Sequence, residues 1–356
     1  MKTRTHSFLA VALSWGLASC EQLIERPEGM GPLSIEVTPQ SGAFGSASEV
    51  VAFEGPHTFR FDLRAVDHEG MLDSSFSGDL HLRVRPNGEL MGDEYVAMVD
   101  GVAEGVEVSV AGVHGEVQIW FEDVAQDKSG SYATGLSPSI FVAQPTIRNM
   151  QEFDDVEANA LEGDFVQLRA EDRDLVVTAT SNDGFYVTDL DDSAWNSLFV
   201  FTHSAPHGVY PGSRITKLDG TAEEFFGLTE LGFPSYKVDG ELDIPDALVL
   251  AAADLGDDLL LESYEGGLVE IQNATVCPVG SDFVQYGQWT AVVGPSGDCG
   301  SGNGAITVLS AFTVSNFNPA AEVGQTLNFV RGNLRYHVAA DPPWILTPRW
   351  DDDLQP

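Results

Sequence analysis

The chain has 356 residues, with 17 Lys+Arg against 55 Asp+Glu and a formal net charge of −38. That length suits two or three domains, and a hydrophobic content of 43% excludes wholesale disorder in spite of the charge. So few basic residues exclude a duplex nucleic-acid binder, which must neutralise phosphates with Lys and Arg.

Lys2 and Arg4 form a basic n-region, and Phe8 to Leu17 is an apolar run of ten residues. This is too short to span a bilayer as a helix but suits a signal-peptide h-region. It ends in Leu17-Ala18-Ser19-Cys20, which resembles the bacterial lipobox. The resemblance implies cleavage after residue 19 and lipidation of Cys20. Glu21 stands where an inner-membrane retention signal has Asp, so the resemblance also implies transport to the outer membrane. Loss of the leader removes two positive charges, leaving the mature chain more acidic still. Several acyl chains on one cysteine give stable anchoring. The longest other apolar run, Ala247 to Ala253, has seven residues, so the expected attachment is an anchor and not a span.

With Cys20 assigned to lipid, Cys277 and Cys299 remain, and an exported compartment favours a disulfide between them. A two-thiol metal site is the weaker alternative, because no nearby His completes a tetrahedral shell.

Residues 20–33 are polar with Pro and Gly and read as a tether. Over 34–145 the periodicity becomes two: Ile35 and Val37, then Phe59, Phe61 and Leu63, then Leu80, Leu82 and Val84. Val106, Val108 and Val110 follow, then Val117, Ile119 and Phe121. Short alternating strands bounded by turn residues predict an antiparallel sandwich. The stretch from Phe59 to Gly70 and that from Phe76 to Val84 resemble a bacterial immunoglobulin-like repeat. Such domains serve as spacers or adhesive modules, and the fold alone does not decide between them.

A linker is expected over 146–162, with a short helix over Asp154 to Leu161, and then strand-rich modules over 163–254 and 255–354. A second short helix is expected over Ile244 to Asp254, with Pro245 near its start and Gly256 just past its end. Gly212 to Gly220 and Gly324 to Gly332 share the pattern G-x-x-I/L-x-x-L/V-x-G, a repeat offset by 112 residues. A Gly turn, two inward aliphatics and a second Gly at a bend suit a strand in a small closing barrel. The fold class expected is therefore all-β, an immunoglobulin-like sandwich followed by tandem OB-fold-like small barrels.

Four segments carry a further resemblance: Val177 to Thr202, Gly212 to Leu231, Leu261 to Val269, and Val323 to Asp353. Their order and spacing resemble the OB-like region that precedes the catalytic domain in secreted bacterial nucleases of the endonuclease/exonuclease/phosphatase type. No catalytic segment follows the fourth one here, so nuclease activity is not expected to carry over. Ser213 and Gln325 also replace the acidic residue that follows the repeat Gly in that pattern.

His203 and His207 are four apart, but Pro206 favours a loop over a shared metal on a helix. Gly294 to Gly304 lacks the Lys-Ser/Thr ending of a phosphate loop and reads as a hairpin loop held by Cys299. No catalytic residues are expected. Asp189, Asp191 and Asp192 share a loop with Asn196, and oxygen ligands on an exported loop suit Ca²⁺. Their spacing does not match an EF-type loop, and solvated acidic loops are the alternative. Asp351 to Asp353 form a second acidic cluster.

The aromatics Tyr186, Phe199, Phe201, Phe225, Phe226, Tyr236 and Trp344 offer stacking surfaces for bases or sugars. With Arg214, Lys217, Arg331 and Arg335 they suggest a basic-aromatic face, for which Tyr186, Phe201, Phe225 and Tyr336 are the expected rings. About half of any alternating set must be core. The function expected is non-catalytic binding or presentation at the cell envelope, of an oligosaccharide or a single-stranded nucleic acid. The alternatives are a structural or adhesive protein contacting other envelope proteins, and an accessory subunit of a separate exported nuclease.

Overall fold

The computed structural model describes residues 32–124, 132–153, 158–294, 299 and 304–355. The expected leader, Cys20 and most of the expected tether lie outside them.

Nine strands come first: β1 (Ser34–Ser41), β2 (His57–Val66), β3 (Gly78–Arg85), β4 (Glu89–Leu90), β5 (Tyr95–Met98), β6 (Val102–Ala111), β7 (Gly115–Asp123), β8 (Gly135–Leu136) and β9 (Ile140–Val142). They form two sheets, β1-β2-β6-β4 and β5-β3-β7-β8, with β9 also on β7. The alternating residues read from the sequence are the ones that meet between the sheets. Phe59, Phe61 and Leu63 of one sheet pack with Leu80, Leu82, Ile119 and Phe121 of the other. The polar residues between them face outward, as a sandwich requires.

The short helix α1 (Ile147–Gln151) follows, capped by Thr146, whose hydroxyl accepts from the Asn149 N–H. The expected helix over Asp154 to Leu161 falls partly outside the described residues; the part that is described, 158–161, is not helical.

The rest of the chain builds two barrels. The first contains β10 (Phe165–Leu168), β11 (Leu175–Thr180), β12 (Gly184–Asp189), β13 (Ser197–Phe201), β14 (Ser213–Phe225) and β15 (Leu228–Glu241). The order β11-β12-β13-β15-β14 closes by pairing β14 with β11, and β13 runs parallel to β15. That is the strand order of an OB-fold, with β10 added on the outside of β14.

The second contains β16 (Leu248–Leu250), α2 (Asp258–Glu262), β17 (Leu268–Val276), α3 (Ser281–Tyr286), β18 (Gln288–Val293), β19 (Ala305–Leu309), β20 (Thr326–Tyr336), β21 (Trp344–Thr347) and β22 (Leu354–Gln355). It closes in the same order, β17-β18-β19-β21-β20, with β19 and β21 parallel. The repeat seen in the sequence is thus the fourth barrel strand in each copy, β14 and β20. Cys277 and Cys299 are disulfide-bonded, with Cα atoms 5.5 Å apart.

One expected element is corrected. Ile244 to Asp254 is not a helix; Leu248–Leu250 pairs parallel with Val269–Ile271, and only a 3₁₀ turn follows at Asp254–Gly256. A helix this short is marginal by itself, whereas the edge of β17 satisfies the same backbone groups through sheet pairing. The strand therefore belongs to the second barrel, although the sequence placed it with the first module.

The two barrels are tied at several points. Glu265 accepts hydrogen bonds from the Thr229 N–H of the first barrel (3.0 Å) and the Tyr336 N–H of the second (3.1 Å). Asn333 Nδ2 donates to Thr178 Oγ1 (3.0 Å) and to the Gly266 carbonyl (2.9 Å). Arg349 pairs with Asp353 at 2.7 Å, both buried, and reaches the Thr178 carbonyl. These contacts fix the walls of the cleft described next.

Candidate functional site

A cleft of about 490 Å³ lies between the barrels. Its floor is the outer face of β12 and β13. Strand alternation sends Phe185, Val187, Leu198 and Val200 into the first barrel's core and turns Tyr186, Phe199 and Phe201 outward. Gly184 permits this arrangement. A Cβ there would lie 2.5 Å from the Phe199 ring, so only glycine lets that ring fold across the neighbouring strand. Tyr186 and Phe199 have ring centroids 4.8 Å apart. The rings continue outward through Phe201, His203 and Phe233, with Phe201–His203 at 4.3 Å and His203–Phe233 at 4.9 Å.

Two loops frame this floor. Ser181, Asn182 and Asp183 connect β11 to β12, and Phe226-Gly227 connects β14 to β15. Both residues of the second loop have positive φ, 54° and 83°, as a tight two-residue hairpin demands. A phenylalanine in that conformation is strained, and the second barrel holds it there. Its ring stacks on His337 at 5.2 Å, and its carbonyl accepts from the Val338 N–H. Gly227 lies against the Tyr336 ring, where a Cβ would approach to 2.2 Å.

The opposite wall comes from the second barrel: Leu309, Phe312, Thr313, Arg335 and Thr347. Arg335 Nε, Thr313 Oγ1 and Thr347 Oγ1 are all buried without a hydrogen-bond partner among the described residues. Buried polar atoms are normally satisfied, so three orphans on one wall leave unused bonding capacity there.

Glu223 and Glu230 enter from β14 and β15, directly opposite each other in the antiparallel register. Glu230 is only 5% exposed. Burial, then the charges of Glu223, Asp183 and Glu224, push its carboxyl up to about 7. Burial likewise pushes the Tyr186 phenol up to about 12. The raised folded-state value of Glu230 gives a definite sign. Its contribution to stability is fully present below the unfolded carboxyl value and is lost as pH rises through about 7. E230Q is therefore expected to melt higher than wild type at pH 8, by about 2 kcal/mol after discounting for solvent screening. The difference should vanish near the unfolded carboxyl range, and thermal denaturation across pH measures it. Equal melting at both pH values would sink the assignment.

Of the expected ligand residues, the cleft brings together Tyr186, Phe201, Phe225 and Arg335. The other four lie elsewhere. Arg214 pairs with Asp174 at 3.1 Å, Lys217 with Asp219 at 2.6 Å and Arg331 with Glu270 at 2.7 Å. Tyr336 packs edge-on against Trp344 on the second barrel's core. The basic-aromatic face is thus corrected: three of its four cations are neutralised by local carboxylates, and the cleft is acidic and aromatic.

Asp189, Asp191 and Asp192 also take a different role from the calcium site expected of them. They converge on the Arg173 guanidinium, which hydrogen-bonds Asp189 and Asp192 and lies 4.0 Å from Asp191. A fixed positive charge already occupies the centre of the cluster, and no group able to hold a metal is found among the described residues. Asp353 and Asp351 are likewise engaged, with Arg349 and with the Ser315 N–H.

Sequence reasoning missed Asp183, Glu223, Glu230, Phe312, Thr313 and Thr347. The turn Asn182-Asp183-Gly184 and the outward phase of Glu223 beside inward Ala222 were the available signals, and neither singles out a site in so acidic a chain. No protein-family model matches the chain, and no match was found among curated proteins or solved structures.

Proposed function

We propose that this chain is a non-catalytic binding protein of the bacterial cell envelope, anchored through a lipidated Cys20, that holds an oligosaccharide in the cleft between its barrels. The observation that carries the reading is where the cleft lies. Its floor is the face of the second and third strands of the first barrel, framed by the loops after strands one and four. OB-folds bind oligonucleotides and oligosaccharides on that surface. Aromatic rings with a few unpartnered polar groups suit the apolar faces and hydroxyls of a sugar.

Charge decides between the two ligand classes. Asp183, Glu223 and Glu230 outnumber Arg335 in the cleft, and a phosphate backbone would meet repulsion where it needs neutralisation. The outward positions of β18 and β19 in the second barrel carry no aromatic ring; they are Gln288, Thr290, Val292, Ala305, Thr307 and Leu309.

The test is a panel of neutral and charged oligosaccharides and single-stranded oligonucleotides titrated into the full soluble chain. Binding of at least one glycan is expected, weakened about ten-fold by F225A, whose ring is exposed at the rim and contributes little to folding. Binding of oligonucleotides alone would reverse the choice of ligand. No binding to either class would favour a structural or adhesive role.

A further inference from the structure

Resting on the oligosaccharide reading, we propose that the cleft selects saccharides bearing a free ammonium group, seated between Glu223 and Glu230. Like charges directly opposite on an antiparallel pair are destabilising, and these two face each other across β14 and β15. Neither carboxylate has a hydrogen-bond or ion-pair partner among the described residues. Asp189 and Asp192 have Arg173 at hand, and Asp353 has Arg349. Here the arrangement lacks its cation.

Arg335 does not fill that role. It stands on the opposite wall and, among the described residues, makes no ion pair and keeps its Nε buried and unpartnered. A neutral sugar's hydroxyls can donate to either carboxylate, but they bring no positive charge to the acidic pair. An ammonium group supplies a full positive charge and three donors, enough to bridge both acids. Phe201, the partly exposed ring of the floor, adds attraction for a cation above it. Arg335, Thr313 and Thr347 remain free to bond hydroxyl and carbonyl oxygens of the same ligand.

Calorimetric titration of the full chain with glucosamine, N-acetylglucosamine and galacturonate oligomers of matched length tests this. The glucosamine oligomer is expected to bind about ten-fold tighter than its N-acetylated form. In the E223Q/E230Q variant the two should bind alike. That variant removes a repulsion, so its thermal melt should be at or above wild type, which verifies the fold. Equal affinity of wild type for amine and N-acetyl forms would overturn the inference while leaving the oligosaccharide reading intact. Preference for the uronate would overturn it by making Arg335 the charge reader. An amine preference that survives in the double variant would assign the effect to the protein's overall acidity and also overturn it. Failure of all three oligomers to bind would remove the oligosaccharide reading for these glycans, and the inference with it.

Discussion

Gly332→Ala is expected to destabilise the second barrel by about 4 kcal/mol. Gly332 pairs with Val269 on one side, and its neighbour Asn333 pairs with Thr347 on the other, so backbone surrounds the position. A Cβ there would lie 2.2 Å from the Thr347 carbonyl oxygen and 2.4 Å from its carbon. No side-chain rotation relieves such a contact; the strands must part, and pairing at the closure of the barrel is lost. The matching substitution in the first barrel, Gly220→Ala, should be milder. Its closest obstacle, at 2.6 Å, is the Leu231 side chain, although the Gly232 carbonyl is also within 2.7 Å. Urea denaturation of both variants makes the comparison. A G332A midpoint within error of wild type would show that the barrel closes more loosely than these distances allow.

Glu265→Ala is the second large effect, and it acts on both stability and binding. Glu265 is buried, and burial together with Glu262 raises its carboxyl well above the usual range. It nevertheless joins the barrels by accepting the Thr229 and Tyr336 N–H groups. Alanine leaves both backbone donors without a partner, at about 1–3 kcal/mol each, so a loss of about 3 kcal/mol is expected. Relief of the buried charge offsets part of the total. Glu265 does not line the cleft, yet Leu228 and Glu230 flank Thr229, and Arg335 precedes Tyr336. On the oligosaccharide reading proposed above, glycan affinity is therefore expected to fall several-fold in E265A even where the chain remains folded. Unchanged affinity at a temperature well below melting would mean that other contacts set the cleft.

Much of this architecture was legible in the sequence because sheets impose a period of two. Phe59, Phe61 and Leu63 alternate into the sandwich core as their spacing predicts. The glycine repeat identified two copies of one strand because the closure of a small barrel demands the same residue in both. The failure at Ile244 to Asp254 has a tertiary cause. Ala-Leu-Val-Leu-Ala suits a helix locally, but the open edge of β17 captures Leu248–Leu250.

The site was half legible for a related reason. Alternation establishes that Tyr186 and Phe185 face opposite sides, but not which side a second barrel will cover. Arginines near aromatics in sequence look like a binding face until their partners are known. Asp174, Asp219 and Glu270 lie across strand pairs or one turn of pleat away, and they claim Arg214, Lys217 and Arg331. Glu223 and Glu230 were hidden among 55 acidic residues, distinguishable only once their register and lack of partners could be seen.

The two barrels share a topology but contribute different parts of themselves, one a sheet face and the other the ends of its strands. Of the wall residues, Leu309 is the last paired residue of β19, and Phe312 and Thr313 lie beyond the end of that strand. Changes there would alter what the cleft accepts without touching the aromatic floor. On the proposed reading, the first barrel supplies both the aromatic floor and the acidic pair, and the second adds a wall whose exposed Phe312 can be changed without disturbing either.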